Sequence, residues 1–295
     1  MADVLAEQLE RVRRQLAELD RVIVAFSGGV DSTLLLKLAR QVLGRSRVLA
    51  VTADSASIAR ADVTEASRLA AELDVEHAVI PTAELVNPDY RANSPRRCYF
   101  CKQELFERLE ILARSRGAAV VLYGAIGDDL REERPGAAAA SERGVRAPLQ
   151  EAGLSKAQVR EAARALGLSN WDRPQNACLS SRIPHGSVVT EQKLGQIEQA
   201  ELLLRSLGFR QVRVRHLEGH ARIEVGQDEV GRFEDAGLSQ RVARGLEQIG
   251  FHSIGVDRAG YRSGGADRGA AEHGEMLSPL RRSSSVGDAA RIVDR

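Results

Sequence analysis

A chain of 295 residues has room for two domains of ordinary size. With 43% apolar and 28% charged residues, its balance is that of a globular chain that buries a core, which excludes the disordered and membrane classes. A net charge of +1 at pH 7 lacks the strongly basic footprint of a general nucleic-acid binder. The N-terminal stretch MADVLAEQLERVRRQLAELD reads as an amphipathic helix without the continuous apolar region of a signal peptide, and no span reaches the roughly 20 apolar residues that cross a bilayer. These features point to the cytoplasm, where thiols stay reduced and serve metals or catalysis more often than disulfides.

Arg21 to Phe26 is an apolar, β-branched run, followed by a glycine loop and by Thr33 to Leu43, whose leucines recur at helical spacing. Arg47 to Thr52 reads as a second strand ending near Asp54, and Ala61 to Leu73 as a helix. Strands at His77 to Ile80 and Ala118 to Tyr123 flank a helix over Lys102 to Arg116. This alternation predicts an α/β fold, a parallel sheet with helices on both faces. After Trp171 the character changes: a loop over Asp172 to Gly186, a helix over Thr190 to Leu207, and strands at Gln211 to His216 and Ala221 to Val225. A helix over Leu238 to Ile249 and a strand at His252 to Val256 complete a small α+β domain. The expected division is 1–170, 171–262 and a Gly, Ser and Arg-rich tail, 263–295, that reads as disordered.

Between the first strand and helix lies Ser27-Gly28-Gly29-Val30-Asp31-Ser32. Glycine amides there can approach phosphate closely, with the positive end of a helix dipole behind them and two serine hydroxyls at hand. Asp31 would repel bare phosphate, so its charge must be used by the loop or a metal. The lysine of GxxxxGK[ST] is missing, which disfavours kinase and motor chemistry. The six-residue string resembles the PP-loop of the N-type ATP pyrophosphatases, which hold the β,γ-phosphates of ATP and transfer AMP.

The three cysteines, Cys98, Cys101 and Cys178, admit several readings. Three thiolates can bind zinc with an open fourth position, or three corners of a [4Fe-4S] cluster; Cys178 can act alone as a nucleophile. Arg96, Arg97 and Arg182 would favour thiolates in each case.

Several strings together resemble the LarE family of ATP-dependent sulfur transferases: Val24 to Ser32, Arg97-Cys98-Tyr99-Phe100-Cys101-Lys102, Arg134-Pro135-Gly136, Cys178-Leu179-Ser180-Ser181-Arg182-Ile183-Pro184 and Val212-Arg213-Val214-Arg215. The resemblance runs from about residue 10 to 262. It implies a PP-loop, Rossmann-like sheet, and a reaction in which ATP adenylates a carboxylate of pyridinium-3,5-biscarboxylate mononucleotide before sulfur replaces its oxygen. The product would serve the nickel-pincer nucleotide cofactor of lactate racemase. Members with one cysteine sacrifice it, whereas this chain is similar to the three-cysteine type, in which Cys98, Cys101 and Cys178 hold a [4Fe-4S] cluster that carries sulfide.

Other roles follow from the same resemblance. Ser27, Gly28, Gly29, Asp31 and Ser32 would hold ATP, with Asp54 near the adenosine. Apart from the resemblance, Asp128 and its neighbour Asp129 follow a strand end at the edge where nucleotide sites lie in such sheets, and one of them would meet Mg2+ or cap a helix. On the strand at Gln211 to His216, Arg213 and Arg215 share one face, as do Arg222 and Glu224 on its neighbour. Spacing alone makes this a solvated sheet face; the resemblance makes Arg213 and Arg215 anion clamps, aided by Ser181 and Arg182. Glu201 and Glu224 match acidic positions tied to metal or substrate phosphate, but a third such position is Arg232 here. Expected partners are a small nucleotide, a sulfide donor, a nickel-inserting protein and further copies of the chain, with neither nucleic acid nor membrane. The competing readings are a PP-loop tRNA thiolase and an ammonia-using amide synthetase.

Overall fold

The computed structural model describes residues 2–117, 120–131, 135–174, 177–262 and 277–279. Two compact units emerge: Met1–Ser181 with His185–Leu194, and Arg182–Pro184 with Gly195–Arg295. The first contains α1 (Ala2–Ala17), β1 (Val22–Ala25), α2 (Val30–Leu43), β2 (Val48–Asp54), α3 (Arg60–Glu72), β3 (Glu76–Pro81), α4 (Pro88–Arg91), α5 (Arg97–Ser115), β4 (Val120–Tyr123), α6 (Pro135–Glu142), α7 (Pro148–Glu151) and α8 (Lys156–Ala165).

Its four strands run parallel in the order β3-β2-β1-β4, the α/β architecture expected. Alternation along the strands sends side chains to two separate cores. Val22, Val24, Val48 and Ala50 pack with leucines of α2, while Ile23, Leu49 and Val51 pack with Phe106 and Leu109 of α5. The order reverses at β1, with β2 on one side and β4 on the other, and such a switch point opens a crevice at the carboxyl ends of the strands.

Two expectations need correction here. The helix expected from Lys102 begins at Arg97, so Cys98 and Cys101 ride on its first two turns, three residues apart on one face. Between Gly124 and Trp171, where no helix was expected, α6, α7 and α8 are folded. Ala118 and Arg134 lie outside the described residues.

The second unit takes up α9 (Glu191–Ser206), which starts in the first unit, then β5 (Val212–Leu217), β6 (His220–Val225), α10 (Ala236–Ile249), β7 (Ser253–Asp257) and β8 (Leu277–Pro279). The strand order is β5-β6-β7-β8, with β6 and β7 parallel and the outer pairs antiparallel. Val212, Val214, Ile223 and Val225 form its core with Val242 and Leu246 of α10. Disorder was expected throughout the tail, but Leu277–Pro279 pairs with β7; the tail's other residues lie outside the described ones. No helix among the described residues is long and apolar enough to cross a membrane.

Candidate active site

The loop after β1 is shaped by its glycines. Gly28 sits at φ +70, and a β-carbon there would meet the Ala66 backbone of α3 at 3.2 Å. Gly29 is the N-cap of α2 and places no side chain over the open amides of that helix. Ser27 Oγ accepts from the Gly29 amide at 3.3 Å, and Ser32 Oγ donates to the Gly29 carbonyl at 3.0 Å, so both hydroxyls brace the loop. The turn is also pressed from the β4 side, where a β-carbon on Gly124 would come within 2.8 Å of the Ser32 amide nitrogen.

The lysine absent from the loop itself is supplied from α8. Lys156 Nζ donates to both carboxylate oxygens of Asp31 at 2.7 Å each. Burial raises the Asp31 pKa and the Lys156 charge opposes that rise. Lys156 stands at the first position of α8, fixed by a capping box between Ser155 and Gln158 and by Asp128, whose carboxylate accepts from the Lys156 amide at 2.7 Å. Asp128 thus performs the helix-capping role. The Ser-x-x-Gln spacing of Ser155 and Gln158 was the local signal that would have revealed this helix start.

Asn170 and Arg173 also escaped the sequence reading. Buried Asn170 donates through Nδ2 to the Gly28 carbonyl and to Thr33 Oγ1, both at 3.0 Å, and Arg173 donates to the same carbonyl at 3.3 Å. Both are more than 130 positions from the loop, and no local pattern marks them. Asp54 ends β2 as expected and is ion-paired with Arg60.

The three thiols gather within the first unit, and none is in a disulfide. Burial first, then the Glu84 carboxylate and Cys178, push the Cys101 thiol up to about 12. Glu84 is itself buried and accepts from Ser55 Oγ at 2.6 Å and from Ser57 Oγ. Arg97, also buried, feels a loss of hydration that weakens its charge, but the Cys178 and Cys98 sulfurs outweigh it and hold the guanidinium above its ordinary value. Ser181 closes a turn on Cys178, its amide donating to the Cys178 carbonyl at 3.0 Å.

Three cysteine sulfurs in one folded unit, with the Arg97 cation among them, are the donor type of a sulfur-ligated iron group. Among the described residues, however, no group of three or more His, Cys, Asp or Glu side chains converges as a metal-binding set.

In the second unit the charged face of β5 and β6 is buried, which corrects the expectation of a solvated face. Arg213, Arg215, Arg222 and Glu224 are all 7% exposed or less. Arg215 donates to Glu224 Oε2 from Nη2 at 2.8 Å and from Nε at 3.0 Å, and Arg222 lies 3.2 Å from the other oxygen. Arg182 grips Glu201 with two hydrogen bonds of 2.8 and 3.1 Å, and Arg205 reaches the same carboxylate. Arg213 stacks over the Tyr261 ring at 5.3 Å; burial, then the neighbouring Arg182, pull its pKa down to about 10. Arg232 caps the end of α9 by donating to the Leu207 and Gly208 carbonyls at 2.8 and 2.9 Å, and it covers the Phe209 ring. An arginine in that place has a structural task of its own.

Comparison with known proteins adds the following. The family described as NAD synthase matches residues 4–130. An uncharacterized protein of Synechocystis is 44% identical over 255 residues, covering 86% of this chain and 94% of its own length. The pyridinium-3,5-bisthiocarboxylic acid mononucleotide synthase of Lactiplantibacillus plantarum is 41% identical over 242 residues, or 82% of this chain and 87% of that protein. An uncharacterized protein of Methanocaldococcus jannaschii is 28% identical over 228 residues, with 76% and 86% covered.

Proposed function

This chain belongs to the LarE family within the PP-loop enzymes, and from that premise we propose that it adenylates and then thiolates a carboxylate of a pyridinium mononucleotide. The observation that carries the reading is that one folded unit holds both a glycine loop at the uncapped N-terminus of α2 and the three thiols. ATP would lie with its β,γ-phosphates on the Gly28 and Gly29 turn, its negative charge met by the amides of α2. Lys156 turns from Asp31 toward the phosphates, while Asp31 and Asp129 are the carboxylates beside the loop that suit the Mg2+ accompanying ATP.

A substrate carboxylate oxygen attacks the α-phosphorus, the bond to pyrophosphate breaks, and an acyl adenylate forms. Sulfur then adds to the carbonyl carbon and AMP departs with the former carboxylate oxygen. Activation is required because carboxylate oxygen leaves poorly. The substrate's phosphate and carboxylates are anionic, and Arg213, Arg215, Ser181 and Arg182 are the groups suited to orient them. Bound to Cys98, Cys101 and Cys178, a [4Fe-4S] cluster would supply an iron open to a labile sulfide. On this reading the protein works as a homo-oligomer beside a sulfide donor and a nickel-inserting partner.

The test is incubation of anaerobically prepared protein with ATP, sulfide and pyridinium-3,5-biscarboxylate mononucleotide, assaying pyrophosphate, product mass and iron. One pyrophosphate and one AMP are expected for each oxygen replaced by sulfur. ATP turnover without sulfur gain sinks the function. Protein without iron, in which Cys98→Ala transfers sulfur normally, sinks the cluster; loss of hydrogen sulfide from Cys178 indicates a sacrificial cysteine instead.

A further inference from the structure

Cys178 comes from a loop far along the chain from α5, yet the turn it begins, closed by the Ser181 amide on its carbonyl, meets Arg97 at the start of α5 through Ser180. Something must hold that loop in place. The backbone ties are spread along it: the Leu179 amide donates to the Ser57 carbonyl at 2.8 Å, the Gly186 amide to the Asn93 carbonyl at 3.1 Å, and the Val189 amide to the Arg91 carbonyl at 2.9 Å. Two side-chain ties reach the residue two places beyond the cysteine. Tyr90 Oη and Ser180 Oγ are 2.6 Å apart, and Arg97 Nη1 donates to the Ser180 carbonyl at 2.9 Å.

Arg97 is the hub of these ties. The same Nη1 donates to Asn93 Oδ1, and Asn93, fully buried at φ +55, donates through Nδ2 to the Ser187 carbonyl at 3.0 Å. One arginine therefore grips both limbs of the loop: Ser180 directly and Ser187 through Asn93. It is also the chain neighbour of Cys98 on the first turn of α5. A buried guanidinium is costly unless it is hydrogen-bonded, and here Nη1 finds one acceptor on the loop, Ser180, and one beside it, Asn93.

We propose that Arg97 is the positioning residue that keeps Cys178 against Cys98 and Cys101. This rests on reading the three thiols as the sulfur site, and it holds whether the sulfur travels on a cluster or on a thiol. A lysine supplies the charge but not the rigid guanidinium plane that fixes Nη1 between Asn93 and Ser180, so it does not replace Arg97 in this role.

The experiment uses the full chain, reduced and stripped with chelator, then treated with dibromobimane, which bridges thiols only when they are neighbours; bridged peptides are quantified by mass spectrometry. Wild type is expected to give a Cys98–Cys101 bridge and a bridge involving Cys178. Arg97→Gln and Arg97→Lys are expected to lower the Cys178 bridge at least tenfold while keeping the Cys98–Cys101 bridge and a single cooperative melting transition. A Cys178 bridge at wild-type yield in Arg97→Gln overturns the proposal, as does loss of both bridges together, which marks a general structural role. Should Arg97→Gln not fold, Asn93→Gly removes the same clamp while allowing the positive φ, with the same outcomes. Absence of any Cys178 bridge in wild type overturns instead the three-thiol reading on which the proposal stands.

Discussion

Lys156 and Asp31 form the contact on which the phosphate loop turns. Their bidentate pair is half-buried, and its two members come from different helices. Lys156→Ala removes the cation available to phosphate, so KM for ATP should rise about tenfold or more, the equivalent of a charge-assisted hydrogen bond of roughly 1.5–3 kcal/mol. A pyrophosphate-release assay reads this directly. Asp31 carries a pH signature as well. Its folded pKa lies above the ordinary carboxylate value of 3.8, so its stabilising contribution is full below that value and fades as pH rises through the folded pKa. Asp31→Asn abolishes that dependence, and its urea midpoint should gain on that of wild type as pH is raised through this window.

The second unit offers a starker case at the same scale. Glu224 neutralises both Arg215 and Arg222 in a buried setting. Glu224→Gln should cost about 3–5 kcal/mol, because two buried guanidinium groups lose their counter-charge; urea unfolding measures it. The alternation of Arg and Val along this strand was readable in the sequence, and so was the choice of residues. Burial of the charged side was not, since spacing reports which residues share a face and leaves open what covers it.

Among the elements, strands and the longer helices were legible from periodicity and appeared within a few residues of their expected ends. The misses have local causes. α5 starts early because buried Arg97 forms part of its first turn, held through Nη1 by Asn93 and Ser180. α6 and α7 are short and carry little apolar period, whereas α8, with Val159, Ala162 and Ala163 buried on one face behind its Ser-x-x-Gln start, was readable and was missed. Close approach of elements also defines the loop: the end of β4 presses on α2 at Gly124. Gly124→Ala should displace Ser32 and lower ATP affinity severalfold while the far-ultraviolet dichroism stays that of wild type; ATP titration with the dichroism spectrum decides it.

For the whole molecule, the second unit's own core makes a further expectation. Leu246 is fully buried in the second unit's core, and Leu246→Ala should cost about 2–5 kcal/mol there. If the ATP loop is served by the first unit alone, as its bracing residues Lys156, Asn170 and Arg173 indicate, ATP affinity of the folded variant should stay at the wild-type value. Isothermal titration below the shifted melting temperature provides the comparison.

The amino-acid sequence alone carried the parallel α/β architecture, the phosphate loop and the set of three cysteines, because each is written in local pattern: apolar period, glycine placement, a Cys-x-x-Cys pair. Only the tertiary structure decided how those parts are served. Lys156 reaches Asp31 across 125 positions, Asn170 holds Gly28 across 142, and Arg97 clasps the segment after Cys178 across 83. Such partners are selected by where folded elements bring backbone carbonyls and charges together, and chain spacing holds no record of that.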